Sequence, residues 1–217
     1  MVCAIAASRK LRLWQIDFVS AFLNSESMFD IYMEQPRGFE EGGDDLVWKL
    51  WKILYGTMQG AHNWAKNLDH TFEGHEYYRL RADPQIQSRV TKNELTLILT
   101  WTDDILRASS TLEGKTLAKK QLRSSYKIKD IGEEKLILGI KISQSKNGDI
   151  VISQRAYAKQ LLKRFNMHSF SPLTIPLPYG LSLSMEDCPA NTSEIGEMRK
   201  VPYCKALGSL MWMQVAT

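Results

Sequence analysis

"LILTWTDDILRAS", residues 97–109, is the stretch on which the reading of this chain turns. An apolar run ends in two adjacent aspartates, Asp103 and Asp104. Leu95, Leu97, Leu99 and Trp101 alternate with Thr96, Ile98, Thr100 and Thr102, the period of two expected of a strand. Adjacent strand residues point to opposite faces, so the two carboxylates converge only if the chain turns between or beside them. A hairpin turn does that. Alone, the pair has two readings: a solvated polar turn, or a turn built around a divalent cation.

A third carboxylate stands in a similar place. "LRLWQIDF", residues 11–18, reads as a strand with Asp17 near its end. If that strand pairs beside the hairpin, three carboxylates meet in one small volume. Like charges crowd together only when protons or cations compensate them. Two hard cations held by carboxylate oxygens are the apparatus of phosphoryl and nucleotidyl transfer.

The rest of the chain gives the setting. Its 217 residues suffice for one sizeable core, and a net charge of +4 leans only mildly toward an acidic partner. Residues 115–129 (KTLAKKQLRSSYKIK) carry Lys115, Lys119, Lys120 and Arg123 with no acidic residue, either a solvated helix face or a polyanion-binding one. Cys3, Cys188 and Cys204 form no metal-binding or disulfide pattern, which fits a reducing intracellular setting. No apolar run has the length of a membrane span. Helices are expected at 59–73 and 111–126, with Leu112, Leu117 and Leu122 among the bases of the second. Strand-like runs are expected at 77–90 and 95–102, and a Pro/Gly/acid-rich connection at 31–45. Residues 135–143 and 149–153 read as a hairpin across Asn147-Gly148. Ser153 then caps a helix with Tyr157, Leu161, Leu162 and Phe165 on one face; beyond Pro172 the chain is loop-like until it ends in "YCKALGSLMWMQVAT", residues 203–217, an apolar helix start. The fold class is α+β, an antiparallel sheet with helices on one face.

The neighbours of the aspartates resemble the reverse transcriptase of copia-type retrotransposons over nearly the whole chain. "LWQIDFVSAFLNSE", "IYMEQPRGF", "KILYGTMQGAHNW", "WTDDIL", "KIKDIGEEKLILGIKI", "SQRAYAKQLLKRFNM" and "VPYCKALGSLMWM" occur in the family's order. The resemblance implies a polymerase palm over 1–130, a primer-grip hairpin and thumb-like helix over 131–170, and a C-terminal connection segment over 171–217. It implies that Asp17, Asp103, Asp104 and the Phe18 carbonyl hold magnesium, with manganese as the alternative, for RNA-directed DNA synthesis. Phe22 takes the position of the steric gate against the sugar 2′ position; as a bare pattern it is a core aromatic. Gln59 takes the place of a nucleotide-pocket glutamine, and Leu138, Gly139 and Ile140 that of the primer grip. Lys115, Lys119, Lys120 and Arg123, with Arg155, Lys159 and Lys163 further on, would track the phosphates of a template–primer duplex. Deoxynucleoside triphosphates are the implied substrates.

The sequence also departs from the family. Ala61 and His62 stand where Pro and Arg are usual, Trp101-Thr102 precede the aspartates, and Gln85 and Gln87 occupy an expected buried strand. The family's fingers region is expected upstream of these residues and the rest of the Pol polyprotein outside them. That implies an incomplete enzyme, inactive as an isolated chain, or a non-catalytic nucleic-acid-binding relic. A two-metal nuclease is a third reading, disfavoured by the blocks around Gln59 and Gly139.

Overall fold

The computed structural model describes every residue except Asp44, Glu134, Pro176 and Thr217. The chain forms two compact units: Met1–Ile137 with Ile142–Val151, and Leu138–Lys141 with Ile152–Thr217.

The first unit begins with α1 (Val2–Ser8), followed by β1 (Arg12–Phe18) and a 3-10 turn at Ala21–Asn24. β2 (Tyr32–Glu34) and β3 (Val47–Lys49) pair as a small antiparallel ribbon inside the stretch expected to be a plain connection. Next come α2 (Gly60–Glu73), β4 (Tyr78–Arg79), β5 (Ile86–Val90), β6 (Leu95–Trp101), β7 (Asp104–Ser109), α3 (Leu112–Ser125) and β8 (Ile128–Gly132). Six strands make one sheet in the order β4-β5-β6-β7-β1-β8, every neighbouring pair antiparallel. The two aspartate-bearing strands, β7 and β1, are therefore side by side in its interior.

With β7 on one side and β8 on the other, β1 has Leu13, Trp14, Gln15 and Ile16 all buried. One sheet face contributes Ile16, Phe18, Ile98 and Ile105 to a cluster with Trp64, Leu68 and Phe72 of α2 and Ala118 and Leu122 of α3. Phe18, Trp64 and Tyr126 meet edge to face there, with ring centroids 4.9–5.3 Å apart. Such pairs add about 0.5–1.5 kcal/mol each beyond simple burial. The opposite face is not left to water: Leu13, Leu97, Leu106 and Ala108 are buried outside that cluster, and α1 lies against β7 with Val2 and Ala6 buried. Side chains on both faces of the sheet are therefore buried, with α2 and α3 packed on the face that carries Ile16, Phe18, Ile98 and Ile105.

α3 starts where the Thr111 hydroxyl accepts the Gly114 N–H at 3.0 Å. A Cβ on Gly114 would collide with the Glu94 side chain and lie 2.5 Å from the Ser109 hydroxyl, so this helix approaches the sheet as closely as glycine allows. Its buried residues are Gly114, Ala118 and Leu122, whereas Leu112 is 66% exposed. Of the three leucines in this helix only Leu122 is fully buried; Gly114 and Ala118 make the rest of the contact. Of the two suspect glutamines, Gln85 is exposed and only Gln87 is buried; its amide donates to Asp69 at 2.7 Å, while its oxygen has no partner.

β9 (Lys135–Ile137), β10 (Ile140–Gln144) and β11 (Ile150–Ser153) form a three-stranded sheet in the order β11-β10-β9. The run expected as one strand, 135–143, is broken by a turn at Leu138 and Gly139, with φ of +54° and +79°. α4 (Arg155–Arg164), α5 (Thr192–Met198) and α6 (Tyr203–Ala216) belong to the second unit. Gln154, not Ser153, is the N-cap of α4, although the Ser153 hydroxyl accepts the Arg155 N–H at 3.3 Å. The helix expected at the end of the sequence is α6, while α5 falls in the stretch expected to be loop: Asn191 caps it by accepting the Glu194 N–H at 3.0 Å. No helix among the described residues is long and apolar enough to cross a membrane.

Candidate functional site

β6 ends at Trp101 and β7 begins at Asp104, and these two residues face each other in register. Only Thr102 and Asp103 make the turn. Thr102 has φ +52°, the positive φ that a type II′ hairpin needs at its first central residue. For a β-branched side chain this conformation costs on the order of 1–3 kcal/mol. The surroundings hold it. The Trp64 indole N–H donates to the Thr102 carbonyl at 2.8 Å, and the Phe18 N–H donates to the Asp103 carbonyl at 2.9 Å. α2 and β1 together pin the turn.

β1 pairs with β7 so that Asp17 is the direct partner of Asp104. Side chains directly opposite in an antiparallel pair share a face, with Cβ atoms about 4.5–5.5 Å apart. Burial pushes the Asp104 carboxyl above the usual carboxylate range; the Gln15 amide, donating at 3.2 Å, opposes that shift, and the charges of Asp17 and Asp103 add to it. Asp103 is held differently. Both its oxygens accept the Tyr55 hydroxyl, at 2.9 and 3.0 Å. Burial and this bond push the Tyr55 hydroxyl above its ordinary value, so it stays protonated and donates. Tyr55 in turn lies 4.5 Å from the Phe22 ring.

The donors are hard oxygens, the right chemistry for magnesium or manganese. Among the described residues, however, no three His, Cys, Asp or Glu side chains are gathered closely enough to hold a metal ion. The carboxylates are brought to one end of the sheet without being closed into a cage, and Asp103 is occupied by Tyr55.

The other expected site residues are spread more widely. Phe22 is 9% exposed and belongs to the core cluster as well as touching Tyr55. Gln59 is the N-cap of α2, its carbonyl accepting the Asn63 N–H at 3.0 Å. Leu138, Gly139 and Ile140 lie in the second unit, while the carboxylates lie in the first. On α3, Lys119 pairs with Asp130, and Lys115 lies 4.6 Å over the Trp14 ring. Lys120 and Arg123 are exposed, as are Arg155, Lys159 and Lys163 on α4. Sequence reasoning missed Tyr55 and Gln15. Gln15 had a signal, being two residues before Asp17 and hence on the same strand face.

The blocks that frame this turn point one way, and comparison with known proteins agrees. The family model described as reverse transcriptase (RNA-dependent DNA polymerase) matches residues 1–178. The chain belongs to the reverse transcriptase family. It is 36% identical over its whole length to the retrovirus-related Pol polyprotein from transposon TNT 1-94 of Nicotiana tabacum, of which it spans 16%. It is 31% identical over 75% of its length to a putative transposon Ty5-1 protein of Saccharomyces cerevisiae, spanning 53% of that protein. Against the retrovirus-related Pol polyprotein from transposon RE1 of Arabidopsis thaliana the identity is 30% over 85% of this chain and 13% of the polyprotein. This is therefore a partial reverse transcriptase domain of the copia-type transposon class.

Proposed function

We propose that residues 1–130 form the palm of an RNA-directed DNA polymerase. Residues 131–170 would form its primer-grip hairpin and thumb-like helix, and 171–217 a connection segment. The observation that supports this best is the pairing of Asp17 with Asp104 beside a turn that carries Asp103. Asp17, Asp103, Asp104 and the Phe18 carbonyl would hold magnesium or manganese, which activates a primer 3′-hydroxyl and neutralises the triphosphate. The chain's own groups set the stage for that transfer. Gln15 orients the Asp104 carboxylate through its amide, while the Tyr55 hydroxyl on Asp103 has to give way before that carboxylate takes a cation. Phe22 stands beside Tyr55 as the gate against a ribose 2′-hydroxyl, and Gln59 lines the nucleotide pocket. Leu138, Gly139 and Ile140 hold the primer end at a tight turn. Lys120, Arg123, Arg155, Lys159 and Lys163 are exposed to duplex phosphates, whereas Lys119 is paired with Asp130 and Lys115 lies over the Trp14 ring. The overall reaction joins the primer 3′-oxygen to the α-phosphorus of a deoxynucleoside triphosphate and releases pyrophosphate.

The test is primer extension on an RNA template with magnesium. Product that disappears in Asp103→Asn supports the polymerase. The capping of Asp103 by Tyr55 favours a second reading, a palm that binds template–primer without extending it. Salt-sensitive duplex binding without product would support that reading.

A further inference from the structure

A groove of about 300 Å³ runs between α4 and α6 within the second unit. Leu161, Leu162 and Phe165 of α4 face Tyr203 and Leu210 of α6 across it, and every residue that lines it is apolar or aromatic. Leu161 makes a buried floor, whereas Leu162 is 46% and Leu210 60% exposed. The walls are therefore within reach of a partner, and contiguous exposed apolar surface of this kind marks interaction sites. The charges around it say what the partner carries. Neither α4 nor α6 contains an aspartate or a glutamate. Lys159 is three residues before Leu162 and Arg164 three after Leu161, so cations flank both edges of the apolar face. Both are exposed, and the ion pairs among the described residues lie elsewhere, at Lys49, Arg79, Arg89 and Lys119.

A groove with apolar walls and basic edges fits an amphipathic helix that carries carboxylates. The chain itself presents one. On α5, Ile195 and Met198 are three apart and so share a side, 42% and 49% exposed. Glu194 and Glu197 form the adjoining row, and the helix has no lysine or arginine. Among the described residues none of α5 lines the groove of its own chain. The apolar row of α5 matches the walls and its acidic row matches the cations of α4. A nucleic acid would meet those cations but leave the apolar walls unmatched, and an uncharged apolar ligand would do the reverse.

We propose that a second copy of this chain fills the groove, its α5 lying between α4 and α6 with Ile195 and Met198 turned inward and Glu197 toward the cations of α4. A twofold axis makes the exchange reciprocal and closes it at two copies. Each copy gives one groove and one helix, so a helix of seven residues makes its contact twice. The inference involves none of the strand-end carboxylates and does not depend on the polymerase reading. The test is sedimentation of the full chain, from low micromolar concentrations upward, with Leu210→Glu in the groove and Glu197→Lys on α5. The wild type should dimerise, less tightly as salt is raised. Each variant should weaken the dimer about tenfold. Both change exposed side chains, so their melting temperatures should stay close to that of the wild type. Mixing the two variants should restore a dimer, because one groove–helix contact is then unaltered. Should Leu210→Glu misfold, Lys159→Glu at the groove's edge takes its place. A monomer at every concentration overturns the proposal, as does a dimer that both variants leave unchanged or a mixture no more dimeric than its parts. A dimer lost in Leu210→Glu but kept in Glu197→Lys overturns α5 as the occupant, in favour of groove against groove.

Discussion

Replacing Tyr55 by phenylalanine isolates the contact that stands between Asp103 and a cation. The substitution keeps the ring against Phe22, 4.5 Å away, and removes only the hydroxyl that donates to both Asp103 oxygens. Hydrogen bonds to a charged acceptor contribute about 1.5–3 kcal/mol when well buried. Tyr55 is 51% exposed, so solvent screening leaves about 1 kcal/mol. In the metal-free chain that bond must be given up before Asp103 can ligate. Its removal should tighten divalent-cation binding about fivefold, the factor equivalent to 1 kcal/mol. Calorimetric titration of manganese into the wild type and Tyr55→Phe measures this directly. Unchanged or weaker affinity in the variant would refute the idea that Tyr55 competes for Asp103.

Three further expectations rest on other contacts. Trp64→Phe keeps an aromatic ring near Phe18 and Tyr126 but removes the indole N–H that holds Thr102. The lost bond and smaller ring cost about 2–3 kcal/mol together, a fall of about 5–10 °C in melting temperature; a shift under 1 °C would count against the pinned turn. Asp104 has a raised pKa, so its stabilising form is the protonated one, present below the ordinary value of 3.8 and lost as pH rises through the folded value. Asp104→Asn should therefore melt above the wild type at neutral pH, and the gap should close as the pH approaches about 4. Finally, Lys120→Gln with Arg123→Gln should lower the salt slope of duplex binding by about two, while Lys119→Gln, already paired with Asp130, should change it little.

How much of this was legible in the sequence depends on the range of the contact that decides each feature. β1, the β6–β7 turn, α2 and α3 were readable because periodicity and local breakers fix them. Burial on both sheet faces was not, since it depends on a six-stranded order and on long-range packing that no local pattern reveals. The turn at Leu138 escaped notice because leucine is not a residue that signals positive φ. The β2–β3 ribbon was hidden by a connection rich in glycine, proline and acid. For α5 the signal was present: Asn191 followed by Glu194 is a capping pattern, overlooked among the surrounding prolines. The three aspartates were found from their strand-end positions and from the family blocks. Tyr55 was not, because its partner Asp103 lies 48 residues away, and only the folded sheet brings them together. Lys115 and Lys119 looked like members of one basic face, yet each has a partner within the first unit.

The central claim is that Asp17 and Asp104, paired across β1 and β7, work with Asp103 in nucleotide transfer. Single-nucleotide primer extension on an RNA template, with the wild type beside Asp17→Asn and Asp104→Asn, tests it most directly. The account predicts extension by the wild type with magnesium or manganese, and none by either variant under conditions where all three bind the duplex equally. Extension that survives either substitution would contradict it.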